Sequence, residues 1–237
     1  MRRIGILTSG GDCGGLNAAV RSIFYRAKDK YNLEVFGILE GTVGLMNRPL
    51  SYIKLDYNTF SGNLLRQGGT FLGSTNKGNP FKFPKNGKVI DTSKLIIEGY
   101  KSLKLDGLII IGGDGSMQIL KKLAEKGNMN IVAIPKTIDN DVGATENSIG
   151  FHTAVNEATN ALDNLQFTAA SHKRTMILEV MGRDAGHIAL NAGIGAGAEE
   201  ILIPEENMGL DRLLESLKNS QKSGKSSSIV VIAEGDK

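Results

Sequence analysis

The sequence predicts an α/β fold with mostly parallel sheets, and three observations predict it. Short apolar runs alternate with helix-length segments along the whole chain. The runs are rich in Ile, Val and Leu without period-2 alternation, as in strands covered on both faces. Glycine supplies 30 of the 237 residues, well above the ~7% average, and gathers in short loops between those runs.

Taken in order, residues 4–7 read as the first buried strand and 16–28 as the helix after it. Further strands are expected at 34–38, 107–111, 130–134, 175–181, 200–203 and 229–232. Helical periodicity marks 117–126, 151–165, 185–196 and 210–220. Strands alternating with helices imply right-handed crossovers, hence parallel pairing. A domain boundary is expected at 149/150. Residues 1–149 hold nearly all the Gly-rich loops, and 150–237 open on a long helix and form a second, smaller α/β set. Residues 219–228, NSQKSGKSSS, read as a polar surface loop. Gly224-Lys225-Ser226 fails as a Walker-type loop, lacking both the upstream Gly and a preceding strand.

Composition narrows the function classes. Lys plus Arg total 28 against 25 Asp plus Glu, and the interspersed signs leave no basic tract for nucleic acid. One Cys excludes a disulfide framework and a Cys-rich metal site. No apolar stretch reaches the ~18 residues of a membrane span, and no signal-like apolar region follows the N-terminus. The chain is expected to be cytoplasmic.

Three loops at strand ends could carry chemistry, since ligands of open α/β sheets bind at the carboxyl ends of the strands. The first, residues 8–17, carries Gly10, Gly11, Gly14 and Gly15, whose backbones can approach a ligand; it is not a G-x-G-x-x-G fingerprint. The second is Gly112-Gly113-Asp114-Gly115-Ser116, a phosphate cradle at a helix start with Ser116 as the expected N-cap. Asp114 beside phosphates makes sense if Mg²⁺ lies between them. The third is Pro135-Lys136-Thr137-Ile138-Asp139-Asn140-Asp141. Alternate positions of an extended loop project alike, so Asp139 and Asp141 are expected to face one pocket, as a general base or a metal contact. Each loop has a plain reading as a polar turn. Together they point to phosphoryl transfer, which needs positioned phosphates, neutralised charge and a base near the acceptor.

These residues resemble the phosphofructokinase family. Gly-Gly-Asp-x-x-Gly-x-Asn (10–17), Gly-Gly-Thr-Phe-Leu-Gly-Ser (68–74), Gly-Gly-Asp-Gly-Ser (112–116), Pro-Lys-Thr-Ile-Asp-Asn-Asp (135–141) and Met-Gly-Arg (181–183) occur in family order. The resemblance implies two similar α/β domains and transfer of a phosphoryl group from ATP to the 1-hydroxyl of fructose 6-phosphate. It implies that Gly11, Gly113, Gly115 and Ser116 hold nucleotide phosphates and that Asp114 binds Mg²⁺. Asp139 becomes the general base, with Thr137 and Asp141 supporting the transferring phosphate and the substrate. Met181, Gly182, Arg183 and Glu234 line the sugar-phosphate site, and Arg174 reaches the substrate phosphate of a neighbouring subunit in a homo-oligomer. Arg21 and Glu199 match positions of the bacterial effector site.

Four departures stand out. Gly14 replaces a Pro. Asn76 and Lys77 stand where bacterial ATP enzymes place an Arg beside the transferring phosphate, so either Lys77 substitutes or the site is weaker. Lys136 replaces a Gly, the choice of pyrophosphate-dependent members and of some ATP-dependent ones. The sequence stops three residues past Glu234, whereas family members continue through a His-x-Gln-Arg-Gly-Gly segment, so the second domain is expected to be incomplete. Gly115 favours ATP, because pyrophosphate-dependent members carry there an Asp that opposes the α-phosphate. The alternatives are a pyrophosphate-dependent enzyme and a non-catalytic family fragment. His152, His172 and His187 show no metal spacing, and Cys13 has no identifiable base to make it a nucleophile.

Overall fold

The computed structural model describes residues 2–75, 79–85, 87–206 and 209–236. The chain folds as two compact units, Met1–Thr137 and Ile138–Lys237. The division falls ahead of the expected 149/150, because Ile138 already packs in the core of the second unit.

The first unit contains β1 (Arg3–Ser9), α1 (Leu16–Tyr25), β2 (Glu34–Ile38), α2 (Val43–Met46) and β3 (Tyr52–Lys54). After them come the hairpin strands β4 (Phe83–Lys85) and β5 (Lys88–Ile90), α3 (Ser93–Ser102), β6 (Gly107–Gly112), α4 (Asp114–Gly127) and β7 (Ile131–Thr137). Its sheet runs in the order β3-β2-β1-β6-β7. All pairs are parallel except β2 with β3, an antiparallel edge. The core joins Leu7, Ile38, Leu108 and Ile110 of the sheet to Leu45, Ile96, Leu120 and Leu123 of the helices. The chain passes from β1 to β2 on one side and later adds β6 on the other. Loops leaving β1 and β6 therefore diverge at a switch point, where an open α/β sheet forms its crevice.

The second unit holds the short β8 (Ile149–Gly150), α5 (Phe151–His172), β9 (Thr175–Val180), α6 (His187–Ala196), β10 (Glu200–Leu202), α7 (Leu210–Lys222) and β11 (Ser228–Ala233). Its sheet is β10-β11-β9, all parallel. Helices α5 and α6 cover one face through Leu162, Ile188 and Ala192. Helix α7 covers the other through Leu213 and Leu217, which meet Leu202 and Val230. Strand β9 departs from the expectation of two covered faces. Thr175, Ile177 and Glu179 are exposed, with Ile177 at 64%, while the α7 cluster gathers residues of β10 and β11. Among the described residues no helix is long and apolar enough to cross a membrane.

Candidate active site

Among the described residues, half of the buried polar groups lie in or beside the motifs. Thr8, Asn17, Lys136 and Asp139 are all at most 5% exposed. Burial of such groups is costly unless each is bonded, so these four mark places where the fold is organised around something other than packing.

In the first unit, β1 ends at Ser9, which pairs in register with Gly112 at the end of β6. The two glycine loops therefore leave adjacent strands side by side. Gly10 donates its N–H to the Thr75 carbonyl at 3.1 Å, and its own carbonyl accepts from the Ser74 hydroxyl at 2.6 Å. The Thr8 hydroxyl donates to the Gly73 carbonyl at 2.8 Å and lies 3.1 Å from the Thr70 hydroxyl. These bonds bring the 68–74 loop against the 10–12 loop. Leu72 adds an apolar anchor. It lies over Gly37 of β2, where a Cβ would stand 2.5 Å from its side chain. Gly10, Gly11, Asp12, Gly68, Gly69, Thr70, Gly73 and Ser74 line a cleft of about 460 Å³. A larger hollow of about 740 Å³, beside Ile4, Tyr31 and Gly107, lies at the amino ends of β1 and β6, away from every motif. The carboxyl-end cleft is the better candidate.

Lys136 is a buried cation, and its Nζ donates to the Gly11 carbonyl. A Cβ on Gly10 would lie 3.5 Å from that ammonium and 3.4 Å from the Ser116 hydroxyl. Lys136 thus sits between the first and second loops. Helix α4 begins at Asp114, so Gly113 is its N-cap and Ser116 lies within the first turn. The expected capping by Ser116 is not observed; its Oγ accepts from the Ser9 hydroxyl at 3.0 Å. Asp114 is acidic in the first turn, where the helix dipole favours it, and accepts from Gln118 at 2.7 Å. A Cβ on Gly115 would meet open space. No group of three His, Cys, Asp or Glu gathers among the described residues. Asp114 alone fits a Mg²⁺ ion that takes its other ligands from phosphates and water. Burial pushes the Cys13 thiol up, against the field of Lys136, so at neutral pH it is protonated and not a nucleophile. Asn76 and Lys77 lie outside the described residues.

In the second unit, Met181, Gly182 and Arg183 form the turn after β9. Gly182 has φ 154°, and a Cβ there would stand 2.3 Å from the Ala185 carbonyl oxygen, so only glycine fits. Glu234, one residue past β11, accepts the N–H groups of Gly182 at 3.2 Å and Arg183 at 2.7 Å through one oxygen. Arg183 Nε lies 3.5 Å from Asp139 Oδ2; the guanidinium side chain is 77% exposed and the carboxylate 7%. A solvent-facing cation thus stands beside a buried carboxylate. The expected pairing of Asp139 with Asp141 fails. Asn140 takes φ 54° and its amide binds the Glu146 carbonyl and the Ser148 N–H, so the segment turns. Asp141 is exposed while Asp139 is buried.

Arg174 precedes β9, and Met181–Arg183 follow it. Six strand residues at about 3.3 Å each put roughly 20 Å between them, so Arg174 does not join that turn. Of the effector-site matches, Arg21 stacks on the Tyr25 ring at 4.3 Å, and Glu199 accepts from the Ile229 N–H at 2.6 Å and Lys225 at 3.0 Å. Sequence reasoning assigned no role to Thr8 or Asn17. Polar residues flanking the Gly10–Gly15 run, in an otherwise apolar strand and helix face, were the available signal.

Two glycine loops at a switch point, a buried ammonium between them and an Asp–Arg pair elsewhere define an α/β protein with a candidate phosphate site. A phosphofructokinase family model matches residues 3–237, so the chain belongs to the phosphofructokinase family. It is 57% identical over 235 residues to ATP-dependent 6-phosphofructokinase 1 of a Synechocystis strain, covering 99% of this chain and 65% of that protein. It is likewise 57% identical over 234 residues to ATP-dependent 6-phosphofructokinase 1 of a Nostoc strain, again 65% of its length. The chain thus spans just under two thirds of these curated relatives. Among solved structures, phosphofructokinase from Saccharomyces cerevisiae superposes with a TM-score of 0.85 at 30% identity, over 100% of this chain and 34% of that one. A pyrophosphate-dependent phosphofructokinase from Marinobacter aquaeolei shares the fold, with a TM-score of 0.79 at 22% identity over 61% of its length.

Proposed function

We propose that this chain carries the transfer site of an ATP-dependent 6-phosphofructokinase, moving the γ-phosphoryl group of ATP to the 1-hydroxyl of fructose 6-phosphate. The observation that carries the reading is the buried Asp139 carboxylate beside the exposed Arg183 guanidinium. Asp139 takes the proton of the 1-hydroxyl, whose oxygen forms the new P–O bond as the bond to the ADP oxygen breaks. Arg183, held by Glu234, neutralises phosphate charge, and Met181 and Gly182 shape the sugar site. Gly11, Gly113, Gly115 and Ser116 surround the donor phosphates, and Thr137 supports the transferring group. Asp114 would hold Mg²⁺, which neutralises charge on the donor phosphates when bound. Asp141, being exposed, is a substrate contact from the rim of its loop. Arg174, remote from the Met181–Arg183 turn, serves a neighbouring subunit of a homo-oligomer. The enzyme so read works in the cytoplasm.

Lys136 favours a second donor, since a buried ammonium at the Gly11 carbonyl suits pyrophosphate as well as ATP. Gly115 weighs more, because open space there accommodates the nucleotide and its α-phosphate. The test is a paired assay of fructose 1,6-bisphosphate formation with Mg·ATP and with Mg·pyrophosphate. Product with ATP at severalfold higher kcat/KM is expected. A preference for pyrophosphate would reverse the donor assignment, and no product with either donor in a full-length context, with the His-x-Gln-Arg-Gly-Gly segment present, would overturn the reading.

A further inference from the structure

We propose that Asn17 is a positioning residue of the donor site: its amide fixes the 64–71 loop and so shapes the cleft that receives the donor phosphates. The proposal rests on the reading of that cleft given above.

Asn17 is 3% exposed, in the first turn of α1. Its Nδ2 donates to the carbonyls of Leu64 at 3.3 Å and Gln67 at 3.2 Å, and its Oδ1 accepts the Phe71 N–H at 3.0 Å. Both donors and the acceptor are thus spent on one backbone segment some 50 residues away in sequence. Between the bonded points lie Gly68, Gly69 and Thr70, which form one wall of the cleft; Asn17 itself does not line it. Its other ties sit at one end, where Phe71 meets the Phe60 ring at 5.8 Å and Thr70 meets the Thr8 hydroxyl at 3.1 Å. Leu65 is 49% exposed, and residues 65–68 all face solvent. Thr8 and Leu72 anchor only the end that returns to the sheet. No other side chain of this length offers two donors and an acceptor: Asp lacks the donors and Gln is a methylene longer. Losing the three bonds would leave the loop correctly placed for about a tenth of the time, which weakens donor binding about tenfold.

The test is calorimetry of Mg·ATP and of fructose 6-phosphate on the wild-type chain, Asn17→Asp and Asn17→Ala, with amide exchange followed at Phe71. The expected result is a donor Kd raised at least about tenfold and a fructose 6-phosphate Kd within about twofold. Phe71 should exchange faster while the amides of β1 and β6 stay protected. Unchanged donor affinity with a deprotected Phe71 would overturn the proposal. So would parallel loss of both affinities with β1 and β6 deprotected, which marks a general structural role. Should neither variant fold, wild-type exchange decides. Added protection of the Gly68–Thr70 amides on binding Mg·ATP supports the proposal, and protection confined to Gly10 and Gly11 overturns it. A wild type that binds neither Mg·ATP nor pyrophosphate would overturn the functional reading and this proposal together.

Discussion

Glycine decides two matters of chemistry in this chain by opposite means. At Gly182 the backbone is both strained for other residues and crowded by Ala185, and this turn presents Arg183. Gly182→Ala should destabilise the second unit by about 1–3 kcal/mol and weaken fructose 6-phosphate binding by displacing the guanidinium. Thermal melts and sugar-phosphate titration check both effects. At Gly115 nothing crowds the missing Cβ. Gly115→Asp should therefore fold normally, yet place a carboxylate against the α-phosphate of ATP, where like charges repel strongly in a dry site. ATP turnover should fall at least about tenfold while pyrophosphate use changes little. Equal loss with both donors in the paired assay would contradict the charge argument.

At the scale of elements, much of the order was legible. Strand β2 lies at the bounds its apolar run implies, and every other long apolar run is a strand. Helix α3 went unread because its periodicity is broken by Gly99. That residue is required because α2 approaches so closely that a Cβ would stand 2.2 Å from the Leu45 carbonyl oxygen. The same helix depends on Asp91, which accepts the Ser93 N–H at 2.8 Å and pairs with Lys126 at 2.9 Å. Ser93 first and Lys126 second lower the Asp91 carboxyl from 3.8 to about 2. A depressed folded value means the ionised group stabilises fully above about pH 4 and loses that contribution as pH falls toward 2. Asp91→Asn should lower the melting midpoint at pH 7, and its difference from wild type should shrink between pH 3.8 and about 2. A gap that stays constant over that window would mean the carboxylate charge is not what supports α3. The capping of α4 misled for a related reason. Asp114 starts the helix two residues before Ser116, so the side chain that looks like a cap bonds to Ser9 instead.

At the scale of the molecule, the chemistry divides between the two units. The donor loops and Lys136 belong to Met1–Thr137, and Asp139, Arg183 and Glu234 belong to Ile138–Lys237. The Pro135–Asp141 motif runs across the division, so one short segment carries Lys136 in one unit and Asp139, the proposed base, in the other. The motifs were readable from sequence because they are contiguous. The Glu234 clamp on the Arg183 turn and the ties of Thr8 and Asn17 were not, because each links residues 47 or more positions apart. The proposed transfer depends above all on Asp139 as its base. Arg183 is 77% exposed, so losing Asp139 leaves that guanidinium in water, and Asp139→Ser should fold. The deciding measurement is steady-state kinetics of Asp139→Ser in a full-length context, with Mg·ATP and fructose 6-phosphate. A kcat lowered about 10²-fold or more, with KM values for both substrates within a few-fold of wild type, is the predicted result. Near-normal kcat, or a loss confined to KM, would contradict it.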